Sequence, residues 1–310
     1  MNNIFYHHVR GMLIPGLIIV GITALFFMFS CNPDEIDAPQ VTPPSNEKEN
    51  IVEEDMISDD TEDQQEGMNI VINHTNFDWY DSQSQEVFDK VADLKIYFAH
   101  ASVGANIMVG FATLHNADPS KYPLAQNAAG ESPPAQTTNG IIYEHDRGNP
   151  GWSTKVKDFE AYVQNGWHYP NVDICINKFC WIDQDAKLAT YRDSMVALEA
   201  DFPDTKFVYF TMPYSTGTNT NAVLRAKFNS ELRYWIEEQN NKLLFDLADI
   251  ESHDPGGVQQ TFTYQNKDYE NMYPEYTFDE GHLNDEGERR AATGLYSLFG
   301  QIVSSSSNSP

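Results

Sequence analysis

Basic side chains are scarce in this chain: 19 Lys and Arg stand against 46 Asp and Glu in 310 residues, a formal net charge of −27. A polyphosphate would be repelled over most of such a surface, which excludes a nucleic-acid binder that works by bulk electrostatics. Cysteine is scarcer still, with three, at positions 31, 175 and 180. Three cannot build a disulfide framework, nor a zinc site unless histidine and carboxylates complete it. Cys175 and Cys180 lie five apart across a predicted strand end, beyond disulfide reach while the strand stays extended, and read as buried small hydrophobes. His74, His115, His145, His168 and His253 lack metal-ligand spacing with one another along the chain, so no metal is expected. Internal repeats are absent as well.

The acidity is concentrated. Residues 32–68 carry thirteen Asp or Glu against the single Lys48, with Pro33, Pro39, Pro43 and Pro44 among them. Such a stretch cannot bury enough apolar surface to offset its chain entropy, and self-repulsion extends it, so 31–68 reads as a disordered tether. Before it, Gly11–Ser30 is an uncharged apolar run following Arg10, long enough by count to span a bilayer. The run ends Met28-Phe29-Ser30-Cys31, a small residue directly before a cysteine. This arrangement resembles a bacterial lipoprotein signal, which implies a leader (1–30) that is removed, acylation of Cys31 and attachment to a lipid membrane. An uncleaved signal anchor is the alternative. Asp34-Glu35 also resembles an acidic surface-export signal of some Gram-negative lipoproteins. On either reading the folded part lies outside the cytoplasm; the lipoprotein reading places it at the cell envelope, lipid-anchored to the outer membrane on the periplasmic or cell-surface side.

Residues 69–303 read as one domain, with a frayed tail at 304–310. Near-continuous apolar runs at Lys95–His100, Gly140–His145, Val172–Asn177, Lys206–Thr211 and Lys242–Asp246 suit strands covered on both faces. Helical patterns at Val103–His115, Ser153–Asn165, Asp183–Ala200, Asn221–Glu238 and Asp285–Val303 alternate with them. The alternation predicts an α/β fold, with a doubly wound, mostly parallel five-stranded sheet in a three-layer α/β/α arrangement. In such sheets the site lies beyond the carboxyl ends of the strands.

There the chain offers His100-Ala101-Ser102-Val103-Gly104 after the first predicted strand, a serine on a strand-to-helix turn that also suits a plain N-cap. After the fifth comes Phe278-Asp279-Glu280-Gly281-His282, in which one turn can bring a carboxylate onto an imidazole Nδ1–H and leave Nε2 free to take a serine's proton. His100 could compete as base, and packing against a helix suits it equally well.

These features together resemble the SGNH (GDSL-like) hydrolases, esterase and lipase relatives with a flavodoxin-like fold. The resemblance implies Ser102 as nucleophile, His282 as general base, Asp279 as its orienting carboxylate, and no cofactor. The stretch Arg147-Gly148-Asn149-Pro150-Gly151-Trp152-Ser153 is similar to the family's second block, implying the Gly151 N–H as an oxyanion donor beside that of Ser102. The chain departs from the family at His100-Ala101-Ser102, where Gly-Asp-Ser is usual, and after the third strand, where Ile182 falls at the position of a donor Asn. Lys178 or Asn177 is a candidate replacement. Trp152, Trp181 and Tyr214 fall on predicted strand-end loops, where aromatic faces suit sugar rings and core packing suits them as well. The expected activity is serine ester hydrolysis on a carbohydrate, with O-acetyl the expected acyl group. A non-catalytic glycan-binding lipoprotein and a lipid esterase or thioesterase are the alternatives.

Overall fold

A computed structural model describes residues 67–306; the leader, Cys31, the tether through residue 66 and residues 307–310 lie outside the described residues. Seven strands form the central sheet: β1 (Ile70–Ile72), β2 (Lys95–His100), β3 (Ala125–Ala128), β4 (Ile141–Asp146), β5 (Ile174–Asn177), β6 (Lys206–Phe210) and β7 (Leu243–Phe245). Their order is β1-β7-β6-β5-β2-β4-β3, and every neighbouring pair is parallel. The five expected strands are the inner five. The count of five is corrected to seven because both edge strands lack the apolar run of a doubly covered strand: β1 has three residues, and β3 reads Ala-Gln-Asn-Ala with two of its four residues exposed.

Pleating divides each inner strand between two cores. Ile96, Phe98, Ile174, Ile176, Val208 and Phe210 join one, packed under α1 (Gln85–Ala92), α2 (Val103–Ala117) and α7 (Asp285–Ser305). Tyr97, Ala99, Cys175, Phe207 and Tyr209 join the other, under α3 (Trp152–Gln164), α4 (Leu188–Asp201) and α5 (Thr220–Glu237). The result is an α/β/α sandwich in which helices cover both faces of a parallel sheet. Cys175 and Cys180 are free and buried.

Two differences from the sequence reading have local causes. The helix expected from Asp183 starts at Leu188, because the Asp183 carboxylate is spent on the Cys180 N–H and on Lys155. Between α6 (Leu247–Ser252) and α7, an antiparallel hairpin of β8 (Thr261–Tyr264) and β9 (Lys267–Glu270) turns on Gln265 and Asn266, both at positive φ. A tight hairpin turn demands that conformation at both central residues, and Gln-Asn is a weak signal for it compared with Asn-Gly.

The chain leaves β2 toward β4 on one side and returns to β5 on the other. The carboxyl end of β2 is therefore the point where the strand order reverses, which opens a crevice there.

Candidate active site

Ser102 stands two residues past β2, at the N-cap of α2, with φ 56° and ψ −113°. A non-glycine residue held there is strained, and strain of this kind persists only where packing over-determines it. Gly104 contributes to that packing: a Cβ at this position would come within 2.4 Å of the His100 Cβ, so only glycine lets α2 approach the strand end so closely. His100 is fully buried, its Nε2 bonded to Glu144 Oε2 at 2.9 Å. It is thus the helix-packed histidine and not a base beside Ser102.

His282 arrives from the loop before α7. An isolated antiparallel bridge between Thr277 and Leu283 closes this loop, and Thr277 Oγ1 donates to the His282 carbonyl at 2.6 Å. Within it Asp279 accepts from the His282 backbone N–H and from His282 Nδ1, both at 2.7 Å. These bonds, the backbone one foremost, hold the Asp279 carboxyl below the usual aspartate range. With Nδ1–H committed to a carboxylate, Nε2 is the acceptor, and it lies 2.7 Å from Ser102 Oγ. The three side chains form one hydrogen-bonded line, Asp279 to His282 to Ser102. Phe278, 66% exposed, stacks on the His282 ring with centroids 6.0 Å apart.

Three unspent donors lie at or just beyond the carboxyl ends of β2, β4 and β5. Neither the Ser102 N–H nor the Gly151 N–H donates to a described residue. Gly151 sits at φ 95°, a conformation suited to glycine, and caps α3. Asn177, at the end of β5 and paired in register with Ala99, has its Oδ1 held by Arg147 Nη2 at 2.6 Å, while its buried Nδ2 has no partner among the described residues. An unspent buried amide donor in a strand end is rare enough to demand a role.

Lys178 is placed differently from its expected part. It is buried, its Nζ donates to the Phe179 carbonyl at 2.9 Å, and burial lowers its pKa to about 8. An ammonium committed to the interior is a poor oxyanion donor, so of the two candidates Asn177 fits. Tyr214 is also corrected: it is buried and its hydroxyl donates to Glu270, in the network that ties β9 to Arg233 and Asp246. Trp152 is half-buried against the core under α3–α5. Trp181 packs partly on the opposite core, with its indole nitrogen against Gly281 in the triad's turn.

The histidines that show no metal spacing along the chain do meet in space. His74, Asp249 and His253 offer ligand atoms within 4.8 Å of one another, the one such group among the described residues. The imidazoles stack 3.5 Å apart and 10° from parallel, so their in-plane lone pairs run side by side and do not converge. Asp249 Oδ2 accepts both the backbone N–H and Nδ1 of His74. The group thus joins the end of β1 to α6.

Sequence reasoning missed Arg147, Lys155 and Asp183 as parts of the site, since each acts through a partner 28 or 30 positions away, and passed over Phe278, whose partner His282 lies in its own turn. It also missed Glu251, buried with Oε2 accepting the Tyr214 N–H at 2.7 Å and Oε1 unpartnered. Burial pushes its pKa up to about 8. The folded value exceeds the unfolded one, so its stabilising contribution is complete below the ordinary carboxylate range and is lost as pH rises toward 8. Lys178, depressed in the fold, changes stability only above that window. Glu251→Gln should therefore flatten the fall in Tm between about pH 5 and 8. An unaltered slope in thermal unfolding would remove Glu251 as its source.

No family profile and no curated protein matches the chain. Similar solved structures include a candidate acylhydrolase of Bacteroides fragilis, at 12% identity over 74% of this chain and 98% of that one, TM-score 0.41. The C-terminal catalytic domain of Streptococcus pneumoniae peptidoglycan O-acetyltransferase A is 12% identical over 69% and 96%, TM-score 0.39. A catalytic mutant of an acetylxylan esterase from Geobacillus stearothermophilus is 14% identical over 67% and 95%, TM-score 0.39. A candidate lipolytic protein of the G-D-S-L family from Desulfitobacterium hafniense is 12% identical over 66% of this chain and 99% of that one, TM-score 0.39.

Proposed function

We propose that this chain is an extracytoplasmic serine ester hydrolase that removes acyl groups, acetyl foremost, from a carbohydrate. The observation that carries the reading is the 2.7 Å contact of Ser102 Oγ with His282 Nε2, on an imidazole whose Nδ1 is held by Asp279 at 2.7 Å. A serine, a base within hydrogen-bond reach and a third group that fixes the base's tautomer make up an activated nucleophile.

Ser102 Oγ attacks the acyl carbon while His282 Nε2 takes its proton. The carbonyl oxygen becomes an oxyanion, received by the N–H groups of Ser102 and Gly151 and by Asn177 Nδ2, which Arg147 holds in orientation. Collapse expels the sugar oxygen, which leaves with the proton from His282. Water, deprotonated by the same imidazole, then attacks the acyl-Ser102 ester, and collapse releases the carboxylic acid and restores the serine. Donors unspent in the resting protein need no reorganisation when charge develops, and each contributes on the order of 3 kcal/mol to the transition state.

A fluorophosphonate probe should label the protein at Ser102 and fail to label His282→Ala. Absence of label on the parent would remove the hydrolase reading and favour a glycan-binding protein without catalysis. For the anchor, acylation at Cys31 predicts that Cys31→Ser loses membrane association and metabolic lipid label together; membrane association kept by the variant, with no lipid label on parent or variant, would favour an uncleaved signal anchor.

A further inference from the structure

A recess of about 180 Å³ shares a wall with the triad. Asp279, Glu280 and Gly281, the turn that orients His282, line it, with Trp181, Asn219 and Arg225 among the other residues of its wall. Arg225, on α5, is 3% exposed, yet it makes no ion pair among the described residues. Its Nη1 donates to the Trp181 carbonyl at 3.2 Å and its Nη2 to Ser215 Oγ at 2.6 Å, which leaves Nε–H buried and unpartnered. The Trp181 indole N–H is likewise buried and unpartnered. Asn219 spends its Oδ1 capping α5 through the N–H groups of Asn221 and Ala222, so its amide donors are unspent.

Two residues of the lining thus each carry a buried, unsatisfied donor, a cost in free energy that an acceptor reaching them through the recess would recover. The acidic residues of the same lining decide what kind of acceptor. An anion would meet Asp279 and Glu280 on a protein of net charge −27. A neutral polyhydroxyl ring satisfies both kinds of group, accepting from Arg225, Trp181 and Asn219 and donating toward Glu280. The volume is below the ~300 Å³ of pockets for larger ligands, which suits one sugar ring and not several.

We infer that this recess holds the neutral sugar ring that carries the ester, and that Arg225 sets the preference for a sugar over other alcohols. The inference rests on the ester hydrolase reading. Its test compares mono-O-acetylated methyl glycosides of glucose, galactose and xylose with 4-nitrophenyl acetate, which has no sugar. In Arg225→Met the ratio of kcat/KM for the best sugar ester to that for 4-nitrophenyl acetate should fall at least tenfold, carried by KM. Arg225→Lys, which keeps the charge and loses the fork, should fall in the same direction and serves if the Met variant does not fold. Separately, unesterified methyl glycosides should change the tryptophan fluorescence of the parent, and not that of Trp181→Phe. An unchanged ratio, or equal losses on both esters, overturns the subsite, the second because it makes Arg225 a positioning residue for the triad's turn. A parent inactive on every ester defeats the hydrolase reading instead, and the fluorescence titration still reads the recess.

Discussion

Ser102→Gly should make the protein more stable and abolish ester hydrolysis. The Ser102 backbone sits at φ 56°, ψ −113°, and a non-glycine residue in such a region costs ~1–3 kcal/mol. Glycine relieves that cost and brings back ~0.5–1 kcal/mol through the greater freedom of the unfolded chain, a net gain of about 1 kcal/mol. In the same step it deletes Oγ, and with it the hydrogen bond to His282 Nε2. Hydrolysis of 4-nitrophenyl acetate should drop by at least ~10³-fold, to what the remaining oxyanion donors supply. Ser102→Ala separates the two effects: the same loss of activity without the gain in Tm, since alanine keeps the Cβ that the backbone must accommodate. A Ser102→Gly protein less stable than Ser102→Ala would mean that the turn is not strained. A fully active one would move the nucleophile elsewhere.

What the sequence disclosed of this site follows from the range of the interactions that build it. Asp279 and His282 are three residues apart, and their bond is made within one turn, so the motif alone predicted it. Ser102 is 180 residues from His282, but the topology of a parallel sheet with five recognisable apolar strands brings both to one edge. The edge strands β1 and β3 were illegible because short or half-exposed strands carry no run of buried residues. Asn177 was legible as a residue and not as a donor: its role depends on Arg147, 30 positions away, binding Oδ1 and thereby fixing which side of the amide is free. Lys178 was misread for a related reason. A lysine at a strand end usually reaches solvent, whereas here the loop after β5 folds over it. His74 and His253 meet through β1 and α6, 179 positions apart in the chain, and spacing along the sequence carries no trace of that.

The loop after β5 is pinned by a buried ion pair that the sequence did not advertise, and removing one partner should be among the most damaging single changes in the domain. Lys155 is fully buried and Asp183 2% exposed; Lys155 Nζ lies 2.5 Å from Asp183 Oδ2 and 2.8 Å from Asn149 Oδ1. Asp183 also accepts the Cys180 N–H, and the Lys155 N–H bonds to the Gly151 carbonyl. The pair thus ties the segment that presents the Gly151 N–H to the loop that follows Asn177. Lys155→Met keeps the apolar stem and removes the charge, which strands a carboxylate in the interior at a cost of ~3–5 kcal/mol. Removing both charges, in Lys155→Met with Asp183→Asn, ends the desolvation problem and should recover most of that loss, because a buried pair contributes little net stability over a neutral replacement. Activity should behave otherwise. Without the ion pair the two loops are no longer held in register, and a displaced oxyanion donor costs ~10²–10³ in kcat. The double variant is therefore expected to unfold near the parent's Tm and still hydrolyse a small acetyl ester at least tenfold more slowly, with KM little changed. Recovery of kcat together with Tm would show that the pair serves the fold alone and that Gly151 is held in place without it.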